Sequence, residues 1–344
     1  MLSQNSISLA DTEVSAYHMK NIKWLILIAI FVFGFAYRAL YVSPSKDNNP
    51  IFFQIAKNET FGTIVSDLKE KGLVKNEALI KLYARTFGID KKIKAGRFRL
   101  DSNLSPVATL NFLVDPEHGE ISITIPEGSS IFDIDAKLTA LSIIQKNDFI
   151  NWAINASTQD FPFIPNNGNV PRTEGYLFPD TYFIFAKNFR PEDLGNAMLR
   201  NFDKKVVEGL TEDIKNSKRS LNEIIIMASI LEREVQTEED CAVVAGMLWK
   251  RLDNKWPLQV DATLLYGKAD RSILSGDLQR DGSHNTYTRQ GLPATPIGNP
   301  GLKTIRAAIH PVDSPYWFYL NAKDGKTIYA KTNKEHAENK IKFL

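Results

Sequence analysis

The chain has 344 residues, which is enough for two or three domains that each bury a hydrophobic core. It is 43% hydrophobic and 24% charged with a formal net charge of +2, a balance that argues against a nucleic-acid partner and against a disordered acidic tail. The single cysteine, Cys241, excludes an intrachain disulfide and a cysteine-rich metal cluster.

An apolar segment near the N-terminus predicts a single transmembrane helix. Residues 24–37, WLILIAIFVFGFAY, carry no charge, and the segment extends over 22–42 if Lys23 and Arg38 direct their charged ends to the interfaces. About 20 residues that rise ~1.5 Å each cross the hydrocarbon core of a bilayer. A buried helix or the apolar part of a signal peptide is the alternative, but no small-residue cleavage site follows, which favours a retained anchor.

The charges beside this segment predict its orientation. Lys20 and Lys23 precede the span. Positive charges usually flank the cytoplasmic end of a membrane span, so these two lysines weakly favour an N-terminus in the cytoplasm. Residues 1–21 are therefore predicted to form a cytoplasmic tail, and the rest of the chain is predicted to lie outside the cytoplasm. Met19 begins MKNIKWLILIAIF and is a second candidate for the start of translation.

An internal repeat with a period of 70 residues follows a polar, proline-flanked linker at 43–50. Each copy predicts a short strand, a turn at Asn58 or Gly128, and a helix with apolar residues at i and i+4. Two such units predict a small α+β module rather than a solenoid. The matching positions are Ile55 and Ile125, Ile64 and Ile134, Leu68 and Leu138, Leu73 and Ile143, Val74 and Ile144, and Leu79 and Phe149.

Two elements are predicted between the copies of the repeat. The segment KAGRFRL at 94–100 alternates apolar residues after a glycine turn and predicts a strand. Residues 104–114 predict a helix that opens at Ser105 and Pro106.

The second half of the chain predicts several helices. Residues 192–210 are periodic and helical, and 221–235 are apolar on nearly all sides, which predicts a buried helix. Thr237 and Asp240 resemble a helix-start pair for a further helix to about Leu252.

Residues that favour turns are concentrated in two stretches. A loop rich in proline and asparagine is predicted at 161–171. Residues 256–311, centred on GLPATPIGNPG at 291–301, predict a long surface loop that lines a site. The run at 316–330 has Asp-Gly between two β-rich segments and predicts a hairpin.

Strong catalytic signatures are missing from the sequence. It has no HExxH, Walker or GxSxG motif, and its five histidines are scattered, so neither a metal site nor a cofactor is predicted. Carboxylates among aromatic and amide side chains remain, and this inventory is typical of a site for a sugar polymer.

The segment TEGYLFPDTY at 173–182 places one acid among aromatic residues. A Glu174 carboxyl group packed against Tyr176, Phe178 or Tyr182 would lose hydration, and desolvation raises the pKa of a carboxyl group. A glutamic acid that is protonated near neutral pH can donate to a glycosidic oxygen, as the acid of lysozyme does. The alternative is that Glu174 caps a turn while the aromatic residues fill the core.

Other polar residues are candidates for contacts with substrate. Glu232 ends the predicted buried helix, where a charge needs a partner or a groove, whereas Arg233 and Glu234 predict a solvated helix end. Side chains in LQVDATLLYG (258–267) and NTYTRQGLPATPIGNPG (285–301) could bind sugar hydroxyl and acetamido groups, but Asn and Thr could equally satisfy the loop backbone. The substrate-binding candidates are Tyr176, Phe178, Glu232, Gln259, Asp261, Asn285, Thr286 and Tyr287.

Five motifs follow one another in a characteristic order: EGYLFPDTY, ASILEREV, LQVDATLLYG, NTYTRQGLPATPIGNPGLKTIRAAIHP and YWFYLNAKDGKTIYAKTNKEH. In this order and spacing, over roughly residues 50–340, the chain resembles the endolytic murein transglycosylase family, the YceG-like or MltG proteins of bacterial cell walls. The resemblance implies an α+β fold with a transmembrane helix at 22–42, a small LysM-like α+β module at 51–120 and a mixed α+β catalytic domain at 121–344. It also implies that Glu174, the glutamate of the Glu-Gly motif, is catalytic.

The resemblance further implies a reaction. The family cleaves the β-1,4 bond between N-acetylmuramic acid and N-acetylglucosamine within glycan strands, and the products carry 1,6-anhydro ends because water is not the nucleophile. One residue serves as acid and then as base, so a second catalytic carboxylate is not expected. The implied role is the termination of nascent glycan strands.

The implied partners and location follow from that substrate. The partners are peptidoglycan glycan strands and peptidoglycan synthases. The implied location is the inner or plasma membrane, with a single pass and with the catalytic domain outside the cytoplasm, in the periplasm if the cell is Gram-negative.

Two other functions are open on the residues alone. A lysozyme-like hydrolase would leave reducing ends in place of anhydro ends. A membrane-tethered wall-binding protein would hold glycan through the repeat module and release none.

Overall fold

The chain folds into two compact units of mixed α+β structure. One unit contains the described residues up to Ile121 together with 185–187, and the other contains the remainder. The predicted loop at 161–171 is described only to 165, and residues 1–8 of the predicted tail lie outside the described residues. The computed structural model describes residues 9–165, 172–187, 189–235, 237–268, 272–274 and 276–344, with side chains from residue 22 onward apart from Pro116.

The first unit contains a two-stranded antiparallel sheet and helices that share its core. Each strand alternates buried and exposed side chains, and Phe53 lies opposite Phe98 in the register, both buried. Its elements are α1 (Leu9–Tyr41), β1 (Pro50–Ile55), α2 (Phe61–Glu70), α3 (Glu77–Thr86), β2 (Gly96–Asp101) and α4 (Pro106–Val114), followed by a 3-10 turn (Pro116–His118).

Both elements predicted between the copies of the repeat are confirmed. β2 coincides with the strand predicted at 94–100. α4 begins at Pro106 after Ser105, whose hydroxyl accepts the N–H of Ala108 at 3.2 Å. This is the N-terminal arrangement that serine and proline favour.

The predicted span lies within α1. Its stretch Ile22–Tyr41 has 20 residues and a mean hydropathy of 1.9, which is long and apolar enough to cross a membrane. Nearly all of its side chains are exposed, so this stretch is not a buried core helix. α1 begins at Leu9, and the described part of the predicted tail therefore continues the helix.

The second unit consists mainly of helices, with most of β3 and β4, which pair with each other, and with the pair β5 and β6. The helix predicted at 192–210 is α7 followed by a π-helical turn, and the predicted hairpin is β5 and β6 in antiparallel register. The elements are β3 (Glu120–Thr124), α5 (Ile131–Ala140), α6 (Asp148–Asn155), β4 (Thr181–Phe185), α7 (Pro191–Phe202), the π-helical turn (Asp203–Glu208), α8 (Thr211–Asn216), α9 (Leu221–Glu234), α10 (Glu238–Asp253), α11 (Asp261–Leu264), α12 (Leu302–Ile309), β5 (Phe318–Asn321), β6 (Thr327–Ala330) and α13 (Asn333–Phe343).

The two copies of the repeat have the same local structure, but the prediction that they form one α+β module is wrong, because the first copy lies in the first unit and the second copy in the second unit. The turns after β1 and β3 contain Asn58 and Gly128, with φ of 66° and 74°. The following helices are capped by the hydroxyl groups of Thr60 and Ser130. The apolar repeat positions that are buried are Ile55, Ile64, Leu68, Leu73, Val74, Ile125, Ile134, Leu138 and Phe149.

α9 is the buried helix that the sequence predicts. Ser220 and Glu223 form a capping box at its start, and every residue from Ile224 to Leu231 is buried. α10, α11 and α12 pack against it. The helix predicted after Thr237 is α10, and the Thr237 hydroxyl accepts from the N–H of Asp240 at 3.2 Å.

The prediction of a surface loop at 256–311 is wrong for two parts of this stretch. α11 and α12 lie within this stretch, and residues 295–301 are buried. Backbone groups there have partners on the central helix, since Ile297 N donates to Ser229 Oγ at 3.0 Å. A segment rich in proline and glycine can therefore be buried when side chains satisfy its backbone.

The contact between α6 and α7 generates a test of packing. A Cβ atom at Gly195 in α7 would lie 1.8 Å from the ring of Trp152 in α6. We expect Gly195→Ala to lower the free energy of unfolding by about 1–3 kcal/mol, because overpacking outweighs the gain of up to ~1 kcal/mol for alanine in a helix. Thermal unfolding of the purified chain in detergent measures this effect. Gly282→Ala is the control, because a Cβ there meets nothing within 4 Å; an unchanged or higher Tm for Gly195→Ala would contradict the expectation.

Candidate active site

Glu174 lies between α6 and β4, and its side chain has no exposed surface. The neighbouring Thr173 ties this segment to α6, because its hydroxyl donates to Ala153 O at 3.1 Å. Gly175 has a φ of +90°, and a Cβ there would lie 2.4 Å from Pro296. Glycine alone fits this position without strain, which explains why a glycine follows Glu174 in the sequence.

Three groups among the described residues donate hydrogen bonds to the Glu174 carboxyl group. Its Oε2 accepts from the Tyr266 hydroxyl at 2.9 Å and from Ile131 N at 3.1 Å. Its Oε1 accepts from Asn299 Nδ2 at 3.2 Å. Ile131 is the first residue of α5, so the carboxyl group lies where the helix dipole favours negative charge.

Asn299 fixes the backbone around the acid as well as the acid itself. Its Oδ1 accepts from Gly175 N and Leu177 N, each at 2.9 Å. Its Nδ2 also donates to Ser129 O at 2.7 Å. This buried amide therefore connects the loop before α12, the turn before α5 and the segment that carries Glu174.

Burial dominates the electrostatics of Glu174. Desolvation raises the pKa of its carboxyl group from 4.5 to about 7, against the lowering effects of the Ile131 and Tyr266 hydrogen bonds and of the Arg233 charge. The charge of Asp133 adds to the increase. Both the protonated and the ionised form of the Glu174 carboxyl group are therefore populated near neutral pH.

Tyr266 is the aromatic residue whose hydroxyl contacts the acid. Its ring lies 4.7 Å from the His284 ring and 5.5 Å from the Phe132 ring. Nε2 of His284 lies 2.8 Å from the Thr295 hydroxyl, and burial lowers the pKa of this histidine to about 4, so its ring is neutral at pH 7. The tyrosine ring thus packs against two neighbouring rings.

A cleft of about 570 Å³ lies beside this group of residues. Tyr266 forms part of its wall, next to apolar side chains that include Phe132 and Leu265. Arg233 lines it as well, and donates to Gly128 O at 3.0 Å and to Asp133 at 3.3 Å. A mixed apolar and charged surface of this size suits an extended polar ligand.

A protein-family model described as the YceG-like family matches residues 53–342. The chain belongs to the YceG-like family. It is 30% identical to an endolytic murein transglycosylase of Bacillus subtilis over 335 residues, which covers 93% of this chain and 91% of the relative. It is 27% identical to an endolytic murein transglycosylase of Streptococcus pneumoniae over 354 residues, which covers 92% of this chain and 64% of that relative.

A solved structure supports the same family at the level of the fold. The crystal structure of a yceG-like protein from Listeria monocytogenes superimposes with a TM-score of 0.59 at 25% identity. The match covers 85% of this YceG-like chain and 99% of the Listeria chain.

The aromatic residues predicted beside the acid lie in the core of this YceG-like chain. Tyr176 packs against Phe202 with ring centroids 5.2 Å apart, and its hydroxyl donates to Asn222 at 3.0 Å. Phe178 lies under the ammonium group of Lys205. Tyr176 and Phe178 are exposed by 1% and 4%, and Tyr266 takes the predicted place beside the acid. The role of Tyr176 and Phe178 in substrate binding stays a prediction.

The end of α9 carries three charged residues with specific partners. Glu232 accepts from Gly301 N at 2.9 Å and from the Thr304 hydroxyl, so it caps α12, and its role in substrate binding stays a prediction. The solvated helix end predicted for Arg233 and Glu234 is wrong. Arg233 lines the cleft, and Glu234 is half-buried and accepts from the Tyr319 hydroxyl at 3.0 Å, with its pKa raised by desolvation.

Asn285 and Thr286 hold the loop that contains them. Asn285 Nδ2 donates to the carbonyl of Arg280 at 2.8 Å, and its Oδ1 accepts from Tyr287 N at 2.8 Å. The Thr286 hydroxyl accepts from Val260 N at 3.0 Å. Both side chains are buried and satisfy the loop backbone, so the backbone role left open by the sequence applies, and their role in substrate binding stays a prediction.

The last three predicted residues form a separate group. Gln259 and Asp261 are exposed, and Asp261 accepts from the Tyr287 hydroxyl. Among the described residues, the lining of the 570 Å³ cleft includes none of these three. Their role in substrate binding stays a prediction.

The sequence did not single out the residues that contact Glu174. Tyr266 is in the motif LQVDATLLYG, and Asn299 is in the proline- and glycine-rich stretch. Both segments were singled out in the sequence, but neither residue was among the predicted site residues. The signal that could have found Asn299 is an amide between glycine and proline in a loop predicted to line a site.

The raised pKa of Glu174 predicts how stability depends on pH. The folded chain keeps this proton up to about pH 7 whereas the unfolded chain loses it near 4.5, so the free energy of unfolding falls as the pH rises through this window. The shift amounts to about 3 kcal/mol at ~1.4 kcal/mol per unit. Glu174→Gln cannot ionise, so we expect the stability of this variant relative to wild type to increase by about that amount between pH 4.5 and 8.

Urea unfolding of both proteins in detergent at the two pH values measures the difference. Glu212→Gln, at an exposed position in α8, is the matched control and should give the same difference from wild type at both pH values. If Glu174→Gln behaved like this control, Glu174 would not be a desolvated acid.

Proposed function

We propose that this chain is an endolytic peptidoglycan lytic transglycosylase in which Glu174 acts first as acid and then as base. Family membership and the relatives named endolytic murein transglycosylase give the activity, that of a lyase acting on peptidoglycan. The observation that carries the role of Glu174 is a wholly buried carboxyl group beside a cleft, with a pKa of about 7.

In the reaction, Glu174 donates one proton and then accepts another. Protonated Glu174 donates to the glycosidic oxygen as the bond from C1 of N-acetylmuramic acid to that oxygen breaks, which releases the N-acetylglucosamine side as an alcohol. The resulting carboxylate accepts the proton of the muramyl C6 hydroxyl while O6 bonds to C1. Glu174 is thereby protonated again, and the muramyl residue ends in a 1,6-anhydro ring.

A pKa of about 7 suits both steps. An acid with a much lower pKa would be ionised before the substrate arrived, and one with a much higher pKa would be too weak to protonate the glycosidic oxygen. The attack by O6 is intramolecular, so binding several sugars of the strand supplies the required orientation.

The other carboxylates of the cleft favour this mechanism over hydrolysis with two carboxylates. Asp133 accepts from Ser130 N at 2.9 Å and is paired with Arg233. Asp135 is buried and accepts from the backbone of Asn147 and Phe149 at 2.9 and 3.0 Å. Both carboxylates stabilise helix starts, so neither is placed as the second catalytic carboxylate of a hydrolase.

The proposal extends to location and partners. The exposed apolar stretch of α1 supports a retained single-pass anchor in the inner or plasma membrane, with the rest of the chain outside the cytoplasm. The first unit is proposed to be the LysM-like module at 51–120, and 121–344 the catalytic domain. Peptidoglycan glycan strands are the proposed substrate, and peptidoglycan synthases are the proposed partners because cleavage of nascent strands would set their length.

Product analysis tests the assignment of Glu174. We expect Glu174→Gln to lower the release of glycans with 1,6-anhydro ends from peptidoglycan by roughly 10²–10⁴-fold, which is typical for the loss of an acid–base residue. The full chain in detergent is incubated with purified sacculi, and the products are identified by mass spectrometry. Glu212→Gln serves as the control of normal activity.

Each alternative gives a different result in this assay. Reducing ends from the wild-type chain would indicate a hydrolase, and sedimentation with sacculi without any release would indicate a wall-binding protein. Release by Glu174→Gln at the wild-type rate would remove Glu174 from the mechanism.

A further inference from the structure

We infer that one face of the first unit binds the surface of the bilayer that α1 is proposed to cross, through contacts with the acyl boundary and with anionic headgroups. The inference rests on the proposed membrane anchor and on no residue of the candidate active site. We call this face the lipid face, and it comprises Leu82, Tyr83, Arg85, Phe87, Lys91 and Lys92.

The first argument is the attachment of the first unit to the end of the span. α1 continues to Tyr41 without a break and contacts α3 and α4. Leu40, one residue before the end of α1, is buried in the core of the first unit. The chain after α1 is fixed as well, because Ser102 Oγ donates to Asp47 O at 2.6 Å. The first unit is therefore held directly at the end of the span rather than at the end of a free linker.

The second argument is a row of aromatic rings that leads from the span to the lipid face. Tyr37 and Tyr41 lie in the last turns of the span, and tyrosine favours the interface between membrane and water. Their ring centroids are 5.4 Å apart, and the Tyr41 ring lies 6.2 Å from the Tyr83 ring. The Phe87 ring lies 4.7 Å from the Tyr83 ring. The end of α3 is therefore close to the depth at which the span leaves the hydrocarbon core.

The third argument is the exposure of large apolar side chains on this face. Leu82 is 63% exposed and Phe87 is 61% exposed. Apolar side chains exposed together mark a site of contact with a protein or a membrane. Because α3 ends beside the span, the bilayer is the apolar phase nearest to them.

The fourth argument is the charge next to these apolar side chains. Arg85, Lys91 and Lys92 are exposed. Ile89 N donates to Ala84 O at 2.8 Å, so the chain after α3 folds back onto its last turn and keeps both lysines near the exposed apolar side chains. Basic side chains beside a membrane span bind anionic headgroups. Apolar groups that enter the interface beside cations that stay among the headgroups are typical of an element that lies on a membrane.

Spin labels at single cysteines in the full chain test this inference. The native Cys241 is replaced by alanine, and the chain is reconstituted in vesicles of phosphatidylethanolamine and phosphatidylglycerol. Labels at Phe87→Cys and Leu82→Cys report collisions with oxygen, which concentrates in the bilayer, and with a water-soluble nickel chelate. Both labels should collide mainly with oxygen in electron paramagnetic resonance measurements. Thermal unfolding verifies that each variant is folded.

Phe52→Cys is the matched control. Phe52 in β1 is 59% exposed, about as much as Phe87. It follows the alternation of the strand and lies on the side of the sheet opposite to Phe53, which packs in the core with the helices. A label at Phe52→Cys should therefore collide mainly with the chelate. A label at Phe33→Cys, inside the span, reports on the anchor itself and should collide mainly with oxygen.

The composition of the vesicles tests the role of the cations. In vesicles of phosphatidylcholine, which carry no net charge, the label at Phe87→Cys should collide more with the chelate than in the anionic vesicles. Substitution of both Lys91→Gln and Lys92→Gln should have the same effect in anionic vesicles. The equilibrium constant for contact of the lipid face with the bilayer should fall by about fivefold for each lysine, which corresponds to ~1 kcal/mol.

The outcomes separate the inference from the proposed anchor. If the labels at 82 and 87 met the chelate as freely as the label at 52, while the label at 33 met oxygen, the lipid face would be overturned and the anchor would stand. Shielding of 87 from both reagents would indicate contact with a second copy of the chain and would also overturn the inference. Equal results in anionic and neutral vesicles would overturn the part assigned to the cations. A label at 33 that met mainly the chelate would overturn the anchor and the inference together.

Discussion

The burial of one carboxyl group constrains the arrangement of the second unit. A carboxyl group without exposed surface costs free energy unless donors surround it. For Glu174 these donors are 43, 92 and 125 residues away along the chain, on Ile131, Tyr266 and Asn299. The start of α5, the segment after α11 and the loop before α12 must therefore meet at one point, and the helices packed around α9 make that meeting possible.

The number of donors around the acid reflects a balance between two requirements. Without donors, a buried carboxyl group would stay neutral through most of the physiological range and could not act as a base. With more donors or a closer cation, it would be a permanent anion and could not protonate a leaving group. Full burial, opposed by the hydrogen bonds from Ile131 and Tyr266 and by the charge of Arg233, gives a pKa of about 7, at which both the acid and the carboxylate are populated near neutral pH.

Local patterns in the sequence predicted most of the helices and strands because their causes are local. The repeat, the capped starts of α4 and α10, the buried α9 and the final hairpin follow from periodicity and turn residues within short windows. Glu174 was singled out in the same way, as an acid among aromatic residues, and the resemblance of the motifs to a family implied the catalytic role that we propose for it.

The partners of the acid could not be predicted because they depend on contacts between distant segments. Tyr176 and Tyr266 are both tyrosines in apolar surroundings, and only the packing of the whole unit decides that the first points to the core and the second to the acid. The composition of the segment around Asn299 likewise suggested an exposed loop. Composition alone does not show which helix supplies hydrogen-bond partners for the backbone of a buried loop. Arg233 and Glu234 were misjudged for the same reason, as their partners come from other segments.

The contact between Ile131 and Glu174 also restricts which residues can begin α5. The first position of a helix is where proline is best tolerated, because its missing N–H would have no partner within the helix. This chain has proline there in α4 and α7, at Pro106 and Pro191. In α5 the first residue is Ile131, and its N–H donates to the Glu174 carboxyl group. Proline has no N–H, so it cannot replace Ile131 without loss of this hydrogen bond, although it suits the first position of other helices.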